Sequence, residues 1–325
     1  MHSLRMAPVG CLWERLAMLR FRADIRTLGF LIAYAALVVF EWRLSPRFPL
    51  ALVFVAATCA LSWICAVIAH NTVHSPMFKS RAMNKAFQVW VSLSYGFPIS
   101  DYIPGHNLSH HRYTQQREDV MRTTKVNFRW NFLNFIFFAA AVSPAVLRGN
   151  AYYKREMGPR ATVWKRQLLL EAVIVWGVKV ALLLLDWKKA LLYVIVPHLF
   201  ANWGIVSVNF LQHDGADQHH PVNHSRNFVG RIFNWWTLNN GYHGMHHITP
   251  GLHWSLLAAA HAEQVAPTIH PALDQPSLLV YCFKAYIYPG KRVRFDGQPV
   301  VVRDEGPDRD WLRADDRLGL TAQAQ

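Results

Sequence analysis

LALVFVAATCALSWICAVIAHNTVH, residues 50–74, decides how the rest of the chain is read. Leu50 to Ala69 is uncharged for twenty residues, about the length an α-helix needs to cross the hydrocarbon core of a bilayer. At its end stand His70 and His74, four apart and so on one helical face. A membrane span that finishes on two aligned imidazoles points to a metal site at the bilayer surface.

Three further stretches read as spans. Thr27 to Phe40 is apolar but short, between Arg26 and Glu41, whose side chains could snorkel. Leu168 to Leu185 is long enough but holds Glu171 and Lys179, opposite charges that could pair. Ala190 to Leu211 is uncharged, with Asn202 and Asn209 inside it. Short turns at Ser45-Pro46 and Asp186–Lys189 join them as two hairpins. A fifth apolar stretch, Trp130 to Leu147, is expected to lie in the interface. If it crossed with the other four, the histidines before and after it would face opposite sides. The weaker option is that it spans while Leu168 to Leu185 does not. The expected fold class is therefore all-α and integral to the membrane, with about four transmembrane helices in two hairpins.

Composition agrees. Apolar residues make up 52% of the 325 and charged residues only 17%, against roughly 25% charged in an average soluble domain. The net charge of +14 would suit nucleic acid or an anionic membrane face. No zinc finger, RNA-recognition motif or basic helix of the nucleic-acid kind occurs, so membrane lipids are the expected partner and nucleic acid is not. Between Asn71 and Gln167 lie 14 Lys and Arg, while the two short turns hold only Arg43, Arg47, Lys188 and Lys189. The positive-inside rule makes the long segment cytoplasmic, and the histidine clusters with it. Cys11, Cys59, Cys65 and Cys282 are scattered and give no disulfide framework. Residues 1–26 form an N-terminal segment in which Leu12, Trp13, Leu16 and Leu19 share a face that could rest on the membrane. Residues 27–290 form the membrane domain, and 291–325 a polar tail expected to be partly disordered.

Nine of seventeen histidines fall into four short groups: His70 and His74; His106, His110 and His111; His213, four after Asn209; and His243, His246 and His247. Neutral imidazole suits iron, zinc, copper and nickel. Zinc sites rarely use more than four ligands, so nine converging rings divide naturally between two metal ions. No Glu-x-x-His and no HExxH is present, which excludes the soluble carboxylate-bridged class and the zincin proteases. A lone membrane histidine such as His198 or His261 is ordinarily a packing residue. Four groups together are not explained that way.

These groups resemble the histidine boxes of the membrane fatty acid desaturase and hydroxylase superfamily. His70-Asn71-Thr72-Val73-His74 is similar to the first box. His106-Asn107-Leu108-Ser109-His110-His111 is similar to the second, 36 residues on from the first. His243-Gly244-Met245-His246-His247, followed by Pro250, is similar to the third. Asn209 and His213 resemble the Asn-x-x-x-His element of acyl desaturases. The resemblance implies a non-haem di-iron centre of two iron ions held by His70, His74, His106, His110, His111, His213, His243, His246 and His247, with Asn209 acting through a water. It implies a helical cytoplasmic cap carrying that centre, and no catalytic group beyond the metals. Asp119 and Asp214 are candidate acceptors for imidazole N–H groups.

The implied activity is O2-dependent desaturation of a long acyl chain, as a lipid or acyl thioester. A hydroxylase, a carotenoid-modifying oxygenase and an oxidative decarboxylase on the same scaffold are the alternatives. The Asn209/His213 element favours desaturation. Against it, Glu118-Asp119-Val120-Met121 stands where many members carry Asp-Pro-Asp, and the HxxxHH spacing recurs in some hydroxylases. Neither a His-Pro-Gly-Gly haem motif nor a CxxC pair is present. Electrons are therefore expected from a separate ferredoxin, rubredoxin or cytochrome b5-like donor. A transition-metal transporter would place ligands near the bilayer midplane, whereas these sit at span ends. His219, His220, His224 and His253 read as cap residues, Trp235, Trp236 and Trp254 as a lipid-facing or acyl-chain surface, and Lys291, Arg292 and Arg294 as a solvated basic strand.

Overall fold

The computed structural model describes residues 18–302 and 305–313. Helix α1 is Asp24–Leu44 and α2 is Leu50–His74. Between them Ser45 takes a left-handed conformation (φ 47°) and its N–H caps Glu41 O, which ends α1 and turns the chain. Glu41 is wholly buried and accepts a 2.7 Å hydrogen bond from Thr58 Oγ1, so the two helices meet across that turn. Helix α3 (Arg81–Tyr95) starts on the Ser80 hydroxyl and stops at Gly96, whose φ of 89° needs a residue without Cβ.

Among the described residues, four helices are long and apolar enough to cross a membrane: α1, α2, α4 (Asn131–Met157) and a continuous helical stretch from Thr162 to His213. This differs from the expected division in two ways. The fifth apolar stretch lies inside α4 and qualifies by length and composition. The expected spans 168–185 and 190–211 run on without a loop, as α5 (Thr162–Ala190) and α6 (Val196–His213). The break is a single residue within α5, Asp186, at φ −160° and ψ 95°, and a π-helical turn, Leu191–Ile195, joins α5 to α6. The Asp186 carboxylate accepts the Lys189 N–H at 3.2 Å, as a cap for the segment that follows, and Lys189 Nζ donates to Trp42 O at 2.9 Å. Lys179 before the break and His198 after it both reach Gly96. Lys179 Nζ donates to the Gly96 carbonyl at 2.6 Å, and a Cβ on Gly96 would fall 2.1 Å from the His198 ring.

Glu171 and Lys179 do not pair, although the sequence invited it. Lys179 lies over the rings of Phe97 and Trp176, at 4.4 and 4.6 Å, and donates to a carbonyl. Glu171, wholly buried, accepts from the Ser100 N–H and hydroxyl and from Gln167 Nε2, each at 2.9 Å. Trp164 Nε1 takes the Ser100 carbonyl at 2.8 Å. A carboxylate and an indole on α5 thus fix the turn that leads into the second histidine box.

Helices α2 and α6 pack closest, where Gly204 lets the Trp63 ring approach; a Cβ there would stand 2.7 Å from it. Helix α4 crosses beside the second box. Asn131 at its start donates to Ala285 O, Asn150 near its end to Asp101 O, and Trp203 of α6 to Ile136 O. The remaining chain forms short elements around the histidines: α7 (Arg231–Trp236), α8 (His243–Ile248), α9 (Leu257–Gln264) and α10 (Leu278–Cys282). Asn227–Phe228 and Asp274–Gln275 pair in parallel among them.

Two expectations about the ends are partly answered. Leu12, Trp13 and Leu16 fall outside the described residues, and Leu19 is buried and bridges Phe78. Residues 305–313, expected within a partly disordered tail, are anchored. Trp311 is buried against Tyr153 and Gly149, and Asp308 pairs with Arg122 and Lys125. Alternating Asp and Arg concealed one apolar anchor. The rest of the tail lies outside the described residues.

Removing the Glu171 carboxylate would leave the Ser100 N–H and hydroxyl without this acceptor, each costing about 1–3 kcal/mol when buried, and Gln167 with the Lys85 carbonyl alone. Glu171→Ala should therefore lower thermal stability in detergent markedly, and Glu171→Gln, which keeps one carbonyl, by less. Equal melting of Glu171→Ala and the parent protein would show that the anchor carries no weight.

Candidate metal centre

His70 and His74 lie one turn apart at the end of α2. His106, His110 and His111 occupy a π-helical turn, Pro104–His110, that runs directly into His111. In that wider turn the His111 N–H bonds to the His106 carbonyl, five residues back. The result brings the His106 and His111 Nε2 atoms to 3.1 Å and turns His110 the other way. In α8, His243 and His247 share a face at four residues' spacing, while His246 points elsewhere.

All nine histidines come together, in two groups. His70, His74, His106, His111 and His246 form one, and His110, His213, His243 and His247 the other; within each, the ligand atoms lie within 4.8 Å of one another. The groups adjoin: the His111 and His247 rings stack at 4.3 Å, and the His110 and His111 rings lie 5.7 Å apart. Each consecutive pair of box histidines is divided between the groups, which spacing alone did not reveal.

The nitrogen geometry fits metal binding better than hydrogen bonding. The Nε2 atoms of His213, His243 and His247 form a triangle with sides of 2.9, 3.1 and 3.1 Å. A ring nitrogen either carries a hydrogen or offers a lone pair, so three such atoms cannot all satisfy one another. One ion about 2.0–2.1 Å from each nitrogen, with ligands at right angles, places neighbouring nitrogens about 3 Å apart. His74 Nε2 and His110 Nε2 are buried with no partner, as inward-facing ligand atoms would be. Burial pushes the pKa values of His106, His111, His243, His246 and His247 well below the ordinary histidine value, and the neighbouring imidazoles push further. Neutral imidazole is the form a metal requires.

The outer nitrogens are oriented from behind. His110 Nδ1 lies 2.9 Å from Asp119, a wholly buried carboxylate. Burial alone would raise the Asp119 pKa, but the His110 ring and the N–H groups of Gln115 and Met121, at 2.8 and 2.7 Å, outweigh it and hold the carboxyl below its usual range. His213 Nδ1 reaches the His224 carbonyl at 3.2 Å, His247 Nδ1 the Thr114 hydroxyl at 3.4 Å, and His70 Nδ1 the Asn71 amide oxygen at 3.4 Å. Nothing in the spacing singled out Thr114 or the His224 carbonyl.

Asp214, the other candidate acceptor, faces no imidazole. It pairs with Arg292, which also donates to the carbonyls of Val126 and Thr123 at 2.6 and 3.0 Å. Arg292 is thus a buried clasp between the segment after the second box and the end of α6, rather than part of a solvated strand. Arg294, by contrast, is exposed and faces Asp296 at 3.4 Å. Asn209 is buried one turn before His213, with its amide nitrogen unpartnered. His219, His220, His224 and His253 belong to neither group. His198 bonds to Tyr34 at 2.7 Å and His261 to Asp274 at 3.0 Å.

Loss of a carboxylate behind a ligating histidine typically lowers metal affinity about 10–100-fold. Asp119→Asn is expected to release metal at correspondingly lower chelator concentration, and Asp119→Glu to release less. Unchanged chelator resistance of Asp119→Asn would remove Asp119 from the metal's support.

The comparisons agree with this centre. Residues 46–275 match the family model described as fatty acid desaturase, a stretch that contains all nine histidines. The alkane 1-monooxygenase of Ectopseudomonas oleovorans is 22% identical to the chain over 300 residues, covering 89% of this chain and 70% of that protein. With well over half its length matched, and with every histidine of the two groups inside the match, this chain belongs to the fatty acid desaturase family.

Proposed function

We propose that the protein is an O2-dependent fatty acid desaturase of the membrane, introducing a double bond into a long acyl chain at a di-iron centre. The observation that carries this reading is the pair of adjoining histidine groups, in a chain whose family uses iron. One iron would be held by His70, His74, His106, His111 and His246, the other by His110, His213, His243 and His247, with Asn209 offering its free amide to a bound water. When bound, two irons supply the reduction of dioxygen and the removal of hydrogen from an unactivated carbon. The chain's own residues orient the imidazoles through Asp119, Thr114, Asn71 and the His224 carbonyl, and shield the centre by burial. Two electrons enter from a donor of the ferredoxin, rubredoxin or cytochrome b5 kind.

Convergence also supports a topology. His111 and His213 belong to adjoining groups, so the chain between them crosses a bilayer an even number of times. The break at Asp186 provides two crossings, on α5 and α6, which leaves α4 in the interface although it is long enough to span. With the Ser45 turn, this gives two hairpins under a cap that faces the basic, cytoplasmic side. Single cysteines at Arg129 and Arg160 are expected to label from the same side of sealed vesicles, and one at Lys188 from the other. Labelling of Arg129 and Arg160 from opposite sides would make α4 a span and break the two-hairpin scheme.

Hydroxylation is the second reading, favoured by the alkane 1-monooxygenase among similar proteins and by the HxxxHH spacing of the second box. Mass spectrometry of lipids from an expressing host, with and without His110→Ala, separates the two. A desaturase yields products lighter by two hydrogens and a hydroxylase products heavier by one oxygen, and both should vanish in His110→Ala. A product profile that the substitution leaves unchanged would end the case for an oxidative role of the second box.

A further inference from the structure

Arg26 begins the first turns of α1, at the end of the helix that lies against the cap. Its guanidinium sits over the ring of Trp254 at 4.6 Å and of Trp235 at 5.5 Å. No ion pair joins it to an acidic side chain among the described residues, and its Nε is buried without a partner. The nearby carboxylate on the helix, Asp24, is engaged elsewhere: it accepts from Thr27 Oγ1 and Trp254 Nε1, at 3.1 and 3.0 Å, and faces His253 at 3.1 Å. An arginine stacked on two indoles, with donors to spare and no anion, is half of a binding site.

What surrounds it defines the other half. Helix α7 places Ile232, Trp235 and Trp236 beside Arg26, at 79%, 50% and 46% exposure. This apolar face is continuous with the first span, because Phe30 of α1 packs on Trp235 and Trp236 at 5.8 and 5.7 Å. Exposed indoles next to a cationic side chain at the end of a span are the pattern of a headgroup-level contact. Trp254, buried beneath Arg26, also lines the small cavity that reaches His74 and His246.

We propose that Arg26, Trp235 and Trp254 form a binding site for the phosphate headgroup of an anionic membrane lipid, whose tail lies along Ile232, Trp235 and Trp236. The lipid would hold α7 in the bilayer surface and, through Trp254 and Asp24, brace the cap against α1. This site is separate from the metal centre, and it stands or falls independently of the oxygenase reading.

Native mass spectrometry of the detergent-purified protein tests it, with phosphatidylglycerol, phosphatidylcholine, oleate and inorganic phosphate as separate probes. The parent protein should retain phosphatidylglycerol over phosphatidylcholine. Arg26→Gln should weaken that retention about fivefold, the contribution of one basic residue at an anionic surface. Ile232→Asp, at an exposed position that folding does not depend on, should also weaken it by removing the tail surface. Inorganic phosphate should not be retained. Equal phosphatidylglycerol retention by the parent and both variants would overturn the site. Displacement of phosphatidylglycerol by oleate at equal concentration would overturn the phospholipid assignment, and by inorganic phosphate would overturn the role given to the tail. Metal content and melting in neutral detergent, unchanged in Arg26→Gln, would show that any loss is not unfolding.

Discussion

Nine imidazoles, six of them buried and three half-buried, are gathered with nitrogen atoms that face one another and cannot satisfy one another. An unpaired buried polar atom costs free energy comparable to a lost hydrogen bond, and this centre concentrates many of them. Such an arrangement persists only if the surrounding structure holds the rings there against that cost, or if a metal relieves it. Both features are visible. The outer nitrogens are fixed by a carboxylate, a hydroxyl, an amide and a carbonyl, and the inner ones converge at ligand spacing. Metal binding and stability of the cap should therefore be coupled, because the ion satisfies atoms that the fold alone leaves unpaired.

The rest of the molecule follows from having to bring four distant segments to that one place. Helices α2 and α6 deliver His70, His74 and His213 at their ends, and the glycine contact at Gly204 brings those two helices close. Glu171 and Trp164 on α5 hold Ser100, and so set where the π-helical turn of the second box begins. Arg292 clasps the segment after that box to the end of α6 through Asp214. Asn227 accepts the Gly244 N–H at 2.8 Å and donates to Asp274 at 2.8 Å, which docks the third box on the cap. The buried carboxylate of Glu171 serves this positioning, and hydrogen-bond donors from Ser100 and Gln167 meet its charge.

Much of this was legible in the sequence because each signal had a strong physical cause. An uncharged run of twenty residues has few uses outside a membrane, and repeated histidines at one-turn spacing have few uses outside a metal site. What was not legible depended on local geometry that no residue type encodes. The division of ligands between the two groups turns on a π-helical register at His106–His111, which the letters HxxxHH do not specify. The pairing of Glu171 with Lys179 was suggested by opposite signs on one span, yet a backbone N–H and a hydroxyl from another segment satisfied Glu171 instead. Asp214 stood next to a ligating histidine in sequence and turned to an arginine 78 residues away. Trp311 and Leu312, in a stretch dominated by charge, are apolar residues that the cap buries.

Helix α4 shows why composition alone does not settle topology. Its first seventeen residues are as free of charge as those of a span, but both of its ends are tied to the elements that surround the histidines. Asn131 and Trp130 bond to Ala285 and Tyr286, while Asn150 and Lys154 bond to Asp101. A helix that crossed the bilayer would carry one of these ends some 30 Å from the other along the membrane normal. Were α5 and α6 both to cross as well, His213 would fall on the far side of the bilayer from His110, so the proposed two-hairpin topology keeps α4 out of the span count.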